Sequence, residues 1–263
     1  MNTHSMPINL LWTGGWDSTF RLLQLIVDYR QIVQPIYIID TARASTLQEM
    51  DTRTQIISTI ITRYPFAKEL ILPTSYFALS DIQKHSEITE KYKTLKRKLL
   101  LGSQYDWLAR FSHQYNIKNL ELSIEKSDRQ THFKDSTRFT LNNASLAGEI
   151  YSLSKDIKAN DPMSLFSCFH FPILNFTKVD MRQHSKNAGY LDIMDATWFC
   201  FTPINGKPCG LCNPCRNVVV ENMGYRLPKS ALLRNKFRKA YDLEETFNKT
   251  VKRQVRKVFP SYT

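Results

Sequence analysis

Two short stretches carry residues whose types and spacing suit chemistry. The first is Thr13-Gly14-Gly15-Trp16-Asp17-Ser18-Thr19, which follows an apolar run and precedes a segment of helical periodicity. A strand that ends in a glycine-rich turn and opens a helix makes an anion site. Backbone N–H groups converge there, and the helix dipole adds partial positive charge. Gly14 and Gly15 are expected to turn the chain at positive φ and to let a phosphate approach the backbone. Asp17 and Ser18 stand at the helix start, where their oxygens can cap amides or contact a phosphate or its Mg²⁺. The loop is not a Walker A sequence, which needs Gly-Lys-Ser/Thr, and it is not the GxGxxG dinucleotide fingerprint. An ordinary tight turn is the plain alternative. Its place at the first strand–helix junction argues against that, because ligands bind outside the carboxyl ends of parallel strands.

The second stretch is CFTPINGKPCGLCNPCRN, which holds Cys200, Cys209, Cys212 and Cys215 with gaps of eight, two and two residues. Each Cys-x-x-Cys step folds back so that two sulfurs meet one ion. Four thiolates satisfy tetrahedral Zn²⁺ and leave no open position, which makes the site structural. Gly210 and Pro214 supply turns between ligands, and Lys207 and Arg216 offset thiolate charge. An iron–sulfur cluster is the competing occupant. Cys168 stands apart and reads as a buried thiol.

These residues need a scaffold. Strand-like runs fall at 8–12, 33–39, 68–72 and 119–124, and helical patterns at 18–29, 46–64 and 103–115. That βαβα order predicts an α/β fold with a Rossmann-like parallel sheet and helices on both faces. The polar segment 74–98 reads as an excursion over the surface, and 141–154 as a helix. Thr177 is a good N-cap and Gly189 a good stop for a helix between them. The expected organisation is one domain over residues 1–225, including the cysteine knot at 200–215, followed by a basic helical extension over 226–263.

Composition narrows the classes. The 263 residues are 42% hydrophobic and 23% charged, which suits a folded chain with a sizeable core. No run of about 18 apolar residues occurs, so no transmembrane helix is expected. The first residues lack a basic n-region followed by a long apolar core, so a cytoplasmic location is expected, where clustered cysteines favour metal over disulfides. Net charge is +12, and residues 226–263 hold eleven Lys/Arg against three Asp/Glu. The segment Lys91–Lys98 is a second basic cluster. Either is a solvated helical face or a surface for a polyanion, so the tail is a candidate contact for a nucleic-acid or protein partner. The sequence leaves oligomeric state open, a homodimer included.

The loop resembles the Ser-Gly-Gly-x-Asp-Ser loop of the ATP pyrophosphatase, or PP-loop, superfamily, with Thr13 in place of Ser. Joined to a four-cysteine knot it resembles one family, the 7-cyano-7-deazaguanine synthases of the queuosine and archaeosine precursor pathway. Further markers are Lys178 in PILNFTKVD, Thr197-Trp198-Phe199-Cys200 in place of Thr-Trp-Ser-Cys, and Cys209-Gly210-Leu211-Cys212-Asn213-Pro214-Cys215-Arg216. Together they span residues 8–216. The resemblance implies a PP-loop fold, a ligase activity, ATP and Mg²⁺ as cofactors beside Zn²⁺, and the substrates 7-carboxy-7-deazaguanine and ammonia. ATP adenylates the carboxylate, ammonia gives the amide, and a second activation dehydrates it to the nitrile. The implied ATP-binding residues are Leu11, Trp12, Thr13, Gly14, Gly15, Trp16, Asp17, Ser18, Thr19 and Asp40. Asp17, Ser18 and Lys178 are the implied catalytic residues. The alternative reading of Lys178 is a surface lysine at a helix start, and that of Asp40 a turn cap.

The match breaks after the fourth strand. Family members carry Tyr-Pro-Asp-Cys-Arg there, whereas this chain has LSIEKSDRQTHF, leaving Lys126, Asp128 and Arg129 as substrate-binding candidates. The stretch Gly102–Asn116 is also unlike the housekeeping enzymes. Asp106, Trp107 and Arg110 are candidates for the substrate side, and Tyr105, Leu108 and Phe111 for core. Three other readings therefore stand beside nitrile synthesis. One keeps the acyl adenylate but passes it to an amine of a protein or nucleic acid, and relatives found beside bacterial antiviral defence genes fit that role. Another is a tRNA-modifying PP-loop enzyme, a thiolase or lysidine-type ligase, although no cysteine precedes Cys168. The last is a non-catalytic, zinc-braced binding module.

Overall fold

In the computed structural model, residues 6–126, 139–142 and 147–238 are described. The apolar run at the start forms β1 (Ile8–Leu11), which lies at the centre of a seven-stranded sheet. The other strands are β2 (Val33–Ile39), β3 (Ser75–Ala78), β4 (Leu120–Glu121), β5 (Phe139–Asn142), β6 (Ile150–Leu153) and β7 (Phe169–Phe171), in the order β3-β2-β1-β4-β7-β6-β5. The five strands from β3 to β7 in that order are mutually parallel, and β6 runs antiparallel to both β7 and β5. The chain thus steps outward from β1 through β2 to β3, then restarts on the other side of β1 with β4. That reversal opens a crevice between the carboxyl ends of β1 and β4.

Helix α1 (Trp16–Leu23) follows β1 and continues through one π-helical turn, Gln24–Asp28, closed by Tyr29 N–H to the Gln24 carbonyl at 2.9 Å. Phe20, Leu22, Leu23, Leu25 and Ile26 are fully buried along it, which fixes the helix on the sheet. The described helices after it are α2 (Thr46–Arg63), α3 (Ala67–Leu70), α4 (Ser86–Lys96), α5 (Gln104–Gln114), α6 (Lys178–Asn187), α7 (Leu191–Asp195), α8 (Asn213–Val220) and α9 (Lys229–Lys236). None of them is long and apolar enough to cross a membrane.

Three expectations about elements need correction. The run at 68–72 is not a strand: Ala67–Leu70 is helical, and only Ile71 bridges to Val33. The third strand comes after Pro73, at Ser75–Ala78, and lies at the sheet edge. An edge strand is half-covered, as Tyr76 at 50% exposure illustrates, so it lacks the apolar signature of a central one. Segment 74–98 is accordingly not a surface excursion. It supplies β3 and helix α4, which buries Tyr92 and Leu95 in the core. The expected helix at 141–154 is instead the hairpin of β5 and β6, paired Phe139↔Leu153 and Asn142↔Ile150. Ile150-Tyr151-Ser152-Leu153 shows no clean alternation, and pairing with β5 and β7 sets it as a strand.

A buried ion pair ties α1 to β4. Arg21 Nε and Nη2 each donate to a Glu121 carboxylate oxygen at 2.7 Å, with both side chains 1% exposed, and Arg21 Nη1 donates to the Ala147 carbonyl at 2.9 Å. The chain divides into two compact units, Met1–Ala42 with Thr46–Trp198, and Arg43–Ser45 with Phe199–Thr263. The sheet belongs to the first. The second holds Cys200, Cys209, Cys212 and Cys215 with α8 and α9, so the cysteine knot groups with the basic segment after it rather than with the sheet.

Candidate functional site

The loop after β1 is held from several sides. Trp12 is fully buried and its indole N–H donates to Thr19 Oγ1 at 3.0 Å, which fastens the strand end to α1. Ser18 Oγ lies 3.3 Å from both the Thr13 amide and Thr13 Oγ1, so the hydroxyl closes the loop onto the first helical turn. Gly14 has φ +75°, and a Cβ there would sit 2.6 Å from Arg53 Cγ. Gly15 corrects the expectation of positive φ at both glycines. It is the N-cap of α1 at φ −81° and ψ 169°, extended backbone open to any residue. Trp198, one of the Thr-Trp markers, donates its amide to the Gly14 carbonyl at 3.0 Å and so braces the turn.

Under the turn lies Arg53, which no sequence signal singled out. It is 2% exposed, and its guanidinium carbon lies 4.6 Å from the Trp12 ring, 4.3 Å from Tyr37 and 5.4 Å from Tyr76. Nη2 donates to Thr74 Oγ1 at 3.2 Å. Burial lowers its pKa, yet a guanidinium stays charged, so a cation sits beneath the glycine turn.

Lys178 is brought to the loop from the far part of the first unit. Helix α6 opens on a capping box: Thr177 Oγ1 accepts from the Asp180 amide at 3.1 Å, and Asp180 Oδ2 accepts from the Thr177 amide at 2.8 Å. The Thr177 hydroxyl, which donates to Asp180 Oδ2 at 2.7 Å, and then the Thr177 amide hold the Asp180 carboxyl below its ordinary pKa. Lys178 is the first helical residue, where the dipole disfavours a cation. Two carboxylates offset this. Its ammonium pairs with Asp17 and lies 3.7 Å from Glu125 Oε2. With the side chain 17% exposed, Lys178 stands within the loop's surroundings and not on open surface.

A cavity of about 170 Å³ opens at the β1–β4 reversal. Its walls are Leu11, Thr13, Gly15, Trp16, Asp17 and Ser18 from the loop, Gln104, Tyr105 and Leu108 from α5, and Leu122, Ser123 and Ile124 after β4. Six of the implied ATP residues therefore share one cavity. Trp12 and Thr19 are fully buried behind it, and Gly14 faces Arg53. Asp40 is not among the lining residues. Its Oδ1 accepts from the Ala42 amide at 3.1 Å and its carbonyl from Thr46 Oγ1 at 2.6 Å, the bonds of a turn. Lys126 is exposed, and its amide donates to the Phe176 carbonyl at 2.8 Å, which sets it beside the start of α6. Asp128 and Arg129 lie outside the described residues. On α5, Asp106 and Arg110 pair with each other at 3.1 Å, and Asp106 accepts from Thr89 at 2.8 Å. Those two and Trp107, which packs against the core, do not line the cavity, while Tyr105 and Leu108 are core residues that also do.

In the second unit the four sulfurs of Cys200, Cys209, Cys212 and Cys215 lie within 4.8 Å of one another. Cys209–Cys215 and Cys212–Cys200 are separated by 3.8 and 3.9 Å. Four sulfurs about 2.3 Å from one tetrahedral ion would be about 3.8 Å apart. Amide donors already point at them: Cys209 N–H to Cys200 Sγ at 3.2 Å, and Leu211 and Cys212 N–H to Cys209 Sγ at 3.3 Å. The contact between Cys200 and Cys212 raises the pKa of the first thiol and lowers that of the second. This set could hold a metal ion such as zinc. Gly210, at φ +80°, is tied to that fold, because a Cβ would meet the Ala231 carbonyl oxygen at 2.1 Å. Helix α9 packs there, with Arg234 Nε donating to the Cys209 carbonyl at 2.7 Å and Asn235 to that of Gly210 at 2.9 Å. Cys168 lies elsewhere, its thiol pushed up to about 11 by burial.

No protein-family model matches this chain, and no curated protein is found similar to it.

Proposed function

We propose that the chain is an ATP-dependent ligase that activates the carboxylate of 7-carboxy-7-deazaguanine and converts it, with ammonia, to 7-cyano-7-deazaguanine. The observation that carries this reading is the cavity at the β1–β4 reversal, walled by Thr13 and by Gly15 to Ser18 and flanked by Lys178. A carboxylate oxygen is a poor leaving group, whereas AMP is a good one. The carboxylate attacks the α-phosphorus and pyrophosphate departs. Ammonia then displaces AMP from the acyl adenylate and loses a proton, leaving the amide. A second adenylation, on the amide oxygen, lets AMP leave with two protons lost from nitrogen, leaving the nitrile.

The amides of the loop and the start of α1 would hold the pyrophosphate end, with Arg53 adding positive potential beneath. Mg²⁺, when bound, would offset phosphate charge beside Asp17 and Ser18. Lys178 would exchange its pairing with Asp17 for the departing phosphate oxygens, where charge develops in the transition state. Apolar residues of the cavity, Leu11, Leu108 and Ile124, would keep water from the mixed anhydride. Zinc on the four cysteines would be structural, since four thiolates leave no open position.

A second reading ends at an amide with another amine as acceptor. It is favoured by the absence of the Tyr-Pro-Asp-Cys-Arg element from the segment after β4. One experiment tests both. The protein is incubated with ATP, Mg²⁺ and 7-carboxy-7-deazaguanine, with and without ammonium, and every species is analysed by mass spectrometry. Nitrile with AMP supports the first reading, and a conjugate or a terminal amide supports the second. No AMP release from any mixture overturns both. Lys178→Met should lower AMP formation by roughly 10²–10³-fold, the scale of removing one group that stabilises transition-state charge.

A further inference from the structure

Helix α5 walls two cavities. Its first turns face the loop through Gln104, Tyr105 and Leu108, whereas Ala109, Ser112 and His113 line a second cavity of about 820 Å³. That volume lies in the range of about 300–1,000 Å³ typical of small-molecule sites. None of the loop residues reaches it.

The lining has two chemical halves. Ile88, Ala109, Ile117 and Leu165 give an apolar interior. The polar groups are mostly donors or cations. Lys118 is exposed beside the cavity, and Glu87 is balanced by Lys91 at 2.8 Å. His85 Nδ1 accepts from the Ile88 amide, so the neutral ring carries its proton on Nε2 and is a donor there. The His113 ring meets His85 edge-on at 4.5 Å between centroids. Deepest is Ser112, 2% exposed, whose hydroxyl has no oxygen or nitrogen partner. Its neighbour is the Cys168 thiol, which burial keeps protonated and which is a weak acceptor. That hydroxyl is closed to solvent, so it forms part of the wall and does not reach a ligand.

We propose that this cavity is a second ligand site, for a small organic monoanion with an aromatic or branched apolar body and one carboxylate. The body fills the apolar interior, and the carboxylate accepts from His85 Nε2 while Lys118 balances its charge. The site is independent of the ATP-dependent reading above.

The probe is naphthalene-1-carboxylate, with naphthalene-1-carboxamide as its neutral match, titrated calorimetrically into the full chain. One equivalent of carboxylate binds, and the carboxamide binds about tenfold more weakly or worse, as loss of charge-assisted hydrogen bonds requires. Ala109→Trp fills the space and abolishes binding, and Lys118→Glu weakens it several-fold. Ser18→Ala, in the loop, leaves it unchanged. Should Ala109→Trp fail to fold, His85→Asp decides: it keeps an acceptor for the helix start, removes the donor and weakens the carboxylate at least tenfold. No binding of the carboxylate overturns the proposal. Equal affinity for the carboxamide, or binding indifferent to Lys118→Glu and His85→Asp, overturns it too.

Discussion

The two adjacent glycines of the loop make unlike demands, and replacing each by alanine separates them. At Gly14 a Cβ faces two penalties. The backbone lies at φ +75°, a left-handed conformation that costs an L-residue roughly 1–2 kcal/mol. The methyl would also stand 2.6 Å from Arg53 Cγ, so the arginine must move. Arg53 is flexible in principle but caged by three rings and held to Thr74. Disturbing one hydrogen bond and part of the cation–π contact costs about 1–2 kcal/mol more. Gly14→Ala should therefore destabilise the protein by about 2–4 kcal/mol. Gly15 has φ −81°, and its Cβ would find Thr13 Oγ1 at 3.4 Å, an ordinary contact. Only the weaker N-capping of alanine remains, about 0.5–1 kcal/mol.

Thermal unfolding reads the difference. At roughly 2–4 °C per kcal/mol for a chain of this size, Gly14→Ala should lower Tm by about 5–15 °C and Gly15→Ala by under about 4 °C. Urea midpoints at constant m-value check that both act on stability alone. The order should invert for ligand. Gly15 lines the cavity, so on the proposed function its methyl should obstruct a phosphate and weaken ATP binding while the fold survives. Equal losses of stability from the two variants would refute the turn geometry. Unimpaired ATP binding by Gly15→Ala would refute phosphate approach at that position.

The remaining predictions concern the frame. Glu121→Ala strands the buried Arg21 charge and should cost about 3–5 kcal/mol by urea denaturation, and Arg21→Met in the same chain should recover much of it; additive losses would contradict the pairing. Cys212→Ser should release about one zinc per chain by metal analysis and unfold the cysteine unit at lower temperature, and a protein that carries iron or no metal would remove that claim. Burial holds the His170 pKa below its ordinary value, against the pull of Glu121. A histidine kept neutral in the fold binds fewer protons than when unfolded, so its contribution is complete above pH about 6.5 and is lost as pH falls below that. Urea midpoints between pH 5 and 7.5 should decline on the acid side, and His170→Phe should flatten that slope.

Local rules carried far in this sequence where the chemistry is local. The β1–turn–α1 unit, the Thr177 cap, the stop at Gly189 (φ +77°) and the grouping of four cysteines all follow from residues within a few positions of one another. What could not be read is what the third dimension supplies. The edge strand β3 and the hairpin β5–β6 have their apolar faces set by neighbours in the sheet, so neither shows the continuous run that marks β1. Arg53 reads as one more charge on an amphipathic helix, and only the rings of Trp12, Tyr37 and Tyr76 converging on it reveal a buried cation.

Lys178 shows how the two kinds of information combine. On sequence alone a lysine at a helix start is as easily surface as site, and the dipole there argues mildly against any cation at all. The capping box fixes the helix end, and with it the direction of the side chain that follows. Asp17, 161 residues earlier in the chain, and Glu125 then supply the countercharge. A cation kept at an unfavourable helix position by two carboxylates, beside a turn that gathers amides, is balanced for the free protein. Without Mg²⁺, an incoming polyanion would compete with Asp17 for the same ammonium, which is why Asp17→Asn should tighten metal-free pyrophosphate binding while Lys178→Met weakens it. Weaker metal-free binding in both variants would mean that the pairing seen here is not a competitor of the ligand.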